Sequence, residues 1–275
     1  MKLKKKSAEI RLSILDVIAL AGKGHIGGTY SCIDILVVLY YTGFLKLNPN
    51  DPLWIGRDRF ILSKGHAGVG LYAILADLGF ITVNELNSLN QGSIFGEHPH
   101  HLVPGIEIVS GSLGHGMSIA TGMALADKID CKDRKTVVVL GDGECYEGAV
   151  WEANNFAAHN NLHNLWVIVD RNGLITNGNT EKINKLEPFS DKWRSFGWDV
   201  HNVDAHSIEE LVALFSSLEK KKNDLPVVII ANSIKGKGVS FMENQASWHH
   251  GEISGENYKI ARKELINILD QYGEL

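Results

Sequence analysis

Apolar residues at Leu3, Ile10, Ile14, Val17, Ile18 and Ala21 recur at helical spacing, and Gly22 stands where that helix should stop. Ser31 and Asp34 carry the S-x-x-D spacing of a capping box and predict a second helix through "ILVVLYY". "RFILS" (59–63) reads as a short strand, followed by glycine-rich "KGHAGVG" and a helix through Leu78; Thr82 and Glu85 offer another capping box. Residues 96–116 read as loop, and the small residues of "MSIATGMALADK" suit a tightly packed helix. The clearest unit follows: "TVVVL" (136–140) as a buried strand, "EGAVWEANNFAAHN" (147–160) as a helix, and "LWVIV" (165–169) as a second buried strand. "WDVHNV" and "PVVIIA" (226–231) read as later strands, with a final helix over about 256–269. Apolar strands alternating with helices need parallel pairing with both faces covered. The predicted fold class is therefore α/β, a doubly wound, mainly parallel sheet with helices on both faces. No internal repeat or low-complexity linker divides the chain, so residues 1–275 read as a single domain with a core over about 8–251.

Composition narrows the function without naming it. With 44% hydrophobic and 21% charged residues among 275, and six prolines, the chain has material for a large core. A net charge of −5 argues against nucleic acid as a partner, since counterion release needs a basic face. The one basic cluster, Lys2, Lys4, Lys5 and Lys6, reads as a solvated helix start. No apolar run approaches the ~18 residues of a membrane helix, and the N-terminal lysines lead into no apolar signal region. Cys32, Cys131 and Cys145 are scattered, with no C-x-x-C, as expected of reduced thiols in a cytoplasmic protein.

Two glycine motifs compete to explain the chemistry. "GKGHIGG" (22–28) contains a formal G-x-G-x-x-G, the spacing of a dinucleotide fingerprint, but a helix rather than a strand leads into Gly22. The NAD dehydrogenase reading is accordingly the weakest. By contrast, a right-handed crossover puts the ends of "TVVVL" and "LWVIV" at one sheet edge. "GDG" (141–143) and "DRNGL" (170–174) then converge where α/β sheets bind ligands, bringing Asp142 to Asn172. Gly141 and Gly143 let the turn backbone approach a phosphate, and the following helix aims N–H groups there. A carboxylate, an amide oxygen and a nearby backbone carbonyl are hard donors, too few to cage an ion alone. That suits Mg²⁺ completed by substrate phosphate oxygens. A lone G-D-G is usually just a turn, but in a strand–helix–strand setting a metal-bridged diphosphate is the better reading.

The segment "GDGECYEGAVWEANNFAAHNNLHNLWVIVDRNG" resembles the thiamine diphosphate fingerprint, and the transketolase family in particular. That resemblance covers about residues 8–251 and implies the thiamine diphosphate-binding fold of the diphosphate (PP) type. It also implies thiamine diphosphate as cofactor, with Mg²⁺ or another divalent cation such as Ca²⁺ or Mn²⁺. Asp142, Asn172 and the Leu174 carbonyl would hold the metal, and Gly143 would contact the diphosphate through its backbone. Glu147 would belong to a carboxylate network linking paired active sites.

Twelve histidines invite a zinc reading, above all "HPHH" (His98, His100, His101) and "HH" (His249, His250), but no cysteine lies near either group. The family resemblance gives several of them another role. "GHIGG" with His25, "SKGHA" with His66, "EHPHHLVPG" with His98 and "WHHG" with His249 or His250 match loops that surround the thiazolium and the sugar, His66 lying nearer the diphosphate. Adjacency to Trp248 favours His249 and adjacency to Gly251 favours His250. "GSLGHG" matches the loop supporting the cofactor near its pyrimidine, through Gly111 and Leu113; His115 departs from the family pattern and is assigned no role.

Transketolases usually continue through a pyrimidine-binding domain and a C-terminal domain, and this chain covers only the first part. The resemblance thus implies a split enzyme: a diphosphate-binding subunit whose partner is a C-terminal transketolase subunit carrying the pyrimidine-binding domain. The expected assembly is a heterotetramer with two copies of each chain, moving a two-carbon ketol unit from a ketose, phosphorylated in the usual case, to an aldose. Two rivals remain: the α subunit of a thiamine-dependent 2-oxoacid dehydrogenase decarboxylase, which would lack this histidine set, and a non-catalytic diphosphate-binding subunit.

Overall fold

In the computed structural model, which describes residues 1–221 and 224–273, seven strands and ten α-helices alternate along the chain. Helices α1 (Lys2–Ala21) and α2 (Gly27–Tyr41) precede β1 (Arg59–Leu62), and α3 (Gly68–Asp77), α4 (Val83–Leu86) and α5 (His115–Ile129) lead to β2 (Thr136–Gly141). After α6 (Gly148–His159) come β3 (Leu165–Arg171), the two-residue strands β4 (Leu174–Ile175) and β5 (Gly178–Asn179), and the short helices α7 (Thr180–Ile183) and α8 (Phe189–Ser195). The chain ends with β6 (Asp199–Asp204), α9 (Ile208–Lys220), β7 (Val227–Asn232) and α10 (Gly255–Asp270).

Five strands form one sheet in the order β1-β2-β3-β7-β6, and every pairing is parallel. The two-residue period of a strand divides its side chains between two cores. Val137 and Val139 join Phe60, Trp166, Ile168 and Ile229 beneath α1, α2, α3, α9 and α10. Val138 and Leu140 join Ile61, Val167, Val169 and Ile230 beneath α5, α6 and α8. Continuous apolar runs are thus what a strand covered on both faces requires, and the predicted α/β, doubly wound arrangement is present. Among the described residues only the antiparallel hairpin β4–β5 departs from parallel strand pairing.

Sequence boundaries mostly fall within two residues of these elements. Gly22 ends α1 in the left-handed region (φ 84°), and the Thr82–Glu85 capping box forms, with Glu85 N–H donating to Thr82 Oγ1 at 3.2 Å. Ser31 and Asp34 are the exception. Helix α2 already begins at Gly27, so both lie inside it, and the capping box expected at Ser31 and Asp34 does not exist. Ser31 Oγ donates to Gly28 O and to Asp170, and Asp34 accepts two hydrogen bonds from Arg11. Partners remote in sequence absorb side chains whose spacing mimics a cap. The helix expected from residue 147 begins at Gly148, behind a 3₁₀ turn over Gly143–Tyr146. Among the described residues no helix is long and apolar enough to cross a membrane.

Candidate functional site

Because β1, β2, β3 and β7 run parallel, the residues following them emerge at one edge. Lys64 and His66 follow β1, Asp142 to Glu144 follow β2, Asn172 and Leu174 follow β3, and Lys235 follows β7. They line one cavity of about 200 Å³, together with Gly28, Leu113 and His249.

Its floor is a buried charge network. Asp170, fully buried at the end of β3, pairs with Lys64 and accepts hydrogen bonds from Ser31 Oγ (2.6 Å) and Ser233 Oγ. Lys64 Nζ also donates to the Gly28 carbonyl at 2.7 Å, tying α2 to the strand ends. Breaking such a pair costs about 3–5 kcal/mol, because the surviving charge stays buried. Glu144 is equally enclosed: Ser63 Oγ, Gly114 N–H (2.8 Å) and Gly141 N–H (3.1 Å) donate to it, while burial pushes its carboxyl upward. Lys235 differs from Lys64. It is 1% exposed and forms no ion pair among the described residues, its Nζ lying 2.9 Å from His249 Nδ1. Burial, with the charge of Lys64, lowers its pKa to about 8.

Asp142 accepts N–H hydrogen bonds from Gly143 (2.8 Å) and Gly173 (2.6 Å), so the two loops are joined by the carboxylate expected to bind metal. Asn172 Oδ1 accepts from Leu174 N–H at 3.0 Å, which brings the amide oxygen and the Leu174 backbone into one turn. Burial first, and then the like charge of Asp170, push the Asp142 carboxyl up to about 6. A divalent cation would relieve that condition. A Cβ on Gly143 would run into Ile175, which keeps this turn open to a phosphate only while the residue is glycine.

Backbone pairing gathers the histidines. Gly24 and Gly251 exchange hydrogen bonds of 3.0 and 3.1 Å, joining the loop after α1 to the loop before α10. His25 therefore lies 4.4 Å from His250, 5.4 Å from His249, 5.6 Å from His66 and 5.9 Å from His98, ring centre to ring centre. Both candidates at the "WHHG" motif reach the cluster by different routes. His249 lines the cavity and accepts from Lys235 through Nδ1, while His250 lies outside it and approaches Glu97 Oε2 at 3.0 Å. Burial, then the adjacent Lys235, lowers His249 to about 3; burial also holds His66 well below the usual imidazole range and His25 at about 4. Each of these three rings is neutral at neutral pH.

Of the remaining expected residues, Leu113 lines the cavity, whereas Gly111 lies against the His98 ring, which a Cβ there would approach to 3.1 Å. His98 is exposed and joins the cluster only through its contact with His25. Glu147 does not line the cavity. It stands exposed at the N-cap of α6, with its stem against Gly114. Sequence reasoning missed Lys64, Glu97, Glu144, Asp170 and Lys235. Lysines and glutamates are usually solvated, and the one signal was their position just after buried strands or inside glycine-rich loops.

The family model described as "Transketolase, thiamine diphosphate binding domain" matches residues 3–267. One of the subunits of the apulose-4-phosphate transketolase of Phocaeicola vulgatus is 41% identical over 267 residues, covering 97% of this chain and 94% of that protein. The 6-deoxy-6-sulfo-D-fructose transketolase subunit of a Clostridium species is 40% identical over 258 residues, 93% of each chain. Among solved structures, transketolase of Campylobacter jejuni superimposes with a TM-score of 0.90 at 29% identity, over 96% of this chain but 43% of that one. The chain thus spans under half of that solved transketolase and nearly the whole of the two subunits. It belongs to the transketolase family: it carries the family's thiamine diphosphate-binding domain and is an enzyme chain of the class that transfers two-carbon ketol units.

Proposed function

We propose that this chain is the diphosphate-binding subunit of a two-chain transketolase that takes a ketol unit from a phosphorylated ketose and delivers it to an aldose. The observation that carries the reading is the cavity where Asp142, Gly143, Asn172, Leu174 and Lys235 meet the neutral imidazoles of His66 and His249. The residues fit the cofactor. Lys235 is a buried cation without a carboxylate partner among the described residues; such a charge calls for an anionic ligand. Oxygens of Asp142, Asn172 and the Leu174 carbonyl form the hard donor set that Mg²⁺ prefers. Thiamine diphosphate, when bound, supplies the electron sink for carbon–carbon cleavage.

The chain's own residues supply position and proton traffic. Gly143 offers a backbone N–H, and Lys235 offers charge to the diphosphate. Lys235 also donates to His249 Nδ1, which leaves the proton of that neutral ring on Nε2. His25, His98 and His249, with His250 at the rim, face the sugar hydroxyls, and His66 lies toward the diphosphate. Neutral imidazoles can both donate to an oxygen and accept a proton.

The two relatives named as subunits support a partner chain carrying the pyrimidine-binding domain, in a heterotetramer with two copies of each. Exposed Ile119 on α5 and Phe156 on α6, the latter on the same helix that Glu147 caps, offer apolar surface for such an assembly. Calorimetry with thiamine diphosphate and Mg²⁺, followed by a transfer assay with and without the partner, tests the proposal. Mg²⁺-dependent cofactor binding and partner-dependent transfer are expected. Transfer at normal rates by this chain alone would overturn the split-enzyme reading.

A further inference from the structure

We propose that His25, Glu97 and His250 form a binding site for a nitrogen-seeking divalent ion of the Zn²⁺ type, separate from the oxygen-donor group at Asp142, Asn172 and Leu174. One ligand atom from each of the three side chains lies within 4.8 Å of the others, and no other set of His, Cys, Asp or Glu does so among the described residues. Glu97 Oε2 is the hub, 2.7 Å from His25 Nδ1 and 3.0 Å from His250 Nε2.

Four features favour an ion over a plain hydrogen-bonded triad. His25 Nδ1 is buried yet has no aligned hydrogen-bond partner, despite its short approach to the carboxylate. Burial outweighs the pull of Glu97 and keeps His25 neutral, so its lone pair needs no proton removed before it binds a metal. The neutral His25 imidazole, a second imidazole and one carboxylate match the two-histidine, one-carboxylate donor set of zinc sites. His250 is also part-exposed, with 37% of its side chain accessible, which leaves a way in and a coordination position for water.

Tetrahedral ligands at ordinary zinc bond lengths sit about 3.3 Å apart. The observed 2.7 and 3.0 Å separations need to open by only a few tenths of an ångström. The Gly24–Gly251 bridge holds the two histidine loops together, so the site is largely assembled before any ion arrives. Imidazole ligands favour Zn²⁺ over Mg²⁺, which separates the two metal chemistries in one molecule. The inference goes beyond the functional reading and requires neither cofactor nor partner; an ion held by His25 and His250 would compete with the sugar for the same two rings.

The test uses the full chain without thiamine diphosphate. Co²⁺ is titrated by visible absorption and Zn²⁺ by calorimetry, both in millimolar Mg²⁺. One ion per chain is expected, with the intense bands of low-coordinate cobalt. Losing a ligand should cost at least what losing an outer-shell partner does, roughly 10–100-fold. Glu97→Gln and His250→Ala, on separate loops, should each weaken binding by more than about tenfold, with melting curves confirming that the variants fold. The His100→Ala/His101→Ala double variant, which removes the stacked histidine pair, and Asp142→Asn should both retain wild-type affinity. Unchanged binding in Glu97→Gln and His250→Ala, loss of binding in the His100/His101 variant, or no cobalt uptake below millimolar concentration would each overturn the site.

Discussion

His25 sits among four other imidazoles, and its place there follows from two glycines more than from its own chemistry. Gly24 supplies the backbone bridge to Gly251, and a Cβ on Gly27 would come within 2.5 Å of the Trp248 carbonyl. His25→Ala is expected to lower two-carbon transfer by roughly 10²–10⁴-fold, the usual contribution of a positioned acid–base group. Mg²⁺-dependent cofactor retention, measured by calorimetry, should change far less; the reverse pattern would remove His25 from its proposed role. Lys235 gives a pH signature. Its free-state pKa of about 8 means that it is charged below that value and loses its proton above it, while a bound diphosphate would raise it. Cofactor affinity should therefore fall as pH rises above about 8, and Lys235→Met should flatten that limb of the profile. The imidazole motifs were legible from sequence. The buried lysines were not, because a lysine's burial is decided by the loops folded over it.

At the scale of elements, the strand ends position chemistry and the helices hold the strands. The turn Gly143–Tyr146 passes beneath Ile175 of the small hairpin, so any side chain at residue 143 closes the diphosphate approach. Gly143→Ala should abolish measurable Mg²⁺-dependent cofactor binding while the melting temperature stays near wild type, since this residue lies on the cavity wall rather than in the core. Helix α8 behaves oppositely. Trp193 is fully buried and meets Trp198, Trp151 and Phe189 with ring centres 5.1, 5.5 and 6.2 Å away. Trp193→Ala is expected to cost about 3–5 kcal/mol in a denaturant titration. The sequence pattern identified β2, α6 and β3 because their apolar runs are long. It offered no signal for α8, whose seven residues are too short for a period to repeat, and it misread Ser31 and Asp34 because spacing alone cannot reveal a distant partner.

Across the whole molecule, Asp34 joins three elements: α2, on which it lies, Arg11 of α1, and His206 in the loop before α9. Burial alone would raise its carboxyl, but the charge of Arg11 and the bonds from His206 and Arg11 hold it well below the usual 3.8. A depressed carboxyl contributes stability above its unfolded value and loses that contribution as pH falls. The wild type should therefore lose stability below about pH 4, and Asp34→Asn should destabilise the protein at neutral pH by about 3–5 kcal/mol while showing a shallower acid limb. Thermal melts across pH check both. Cofactor binding depends on a different kind of long-range order: the strand ends form the site, yet each of its walls belongs to a different stretch of chain.

The alternation of apolar runs and helices determined the parallel sheet, because a strand buried on both faces is apolar along most of its length. The spacing of "GDG" and "DRNG" around one crossover likewise determined that the Asp142 and Asn172 loops meet at one cavity, since successive parallel strands end at the same edge. Tertiary structure alone decided which charges are buried, that Asp170 and Lys64 form the floor, and that Glu144 braces three loops. It also decided that His249 lines the cavity while His250 turns to Glu97, a choice that adjacency to Trp248 or Gly251 left open. The physical reason is common to all of these. Local sequence sets periodicity and backbone freedom, but burial and charge pairing depend on segments from different parts of the chain, such as Lys64 and Asp170, which meet only when the sheet edge and the Gly24–Gly251 bridge bring them together.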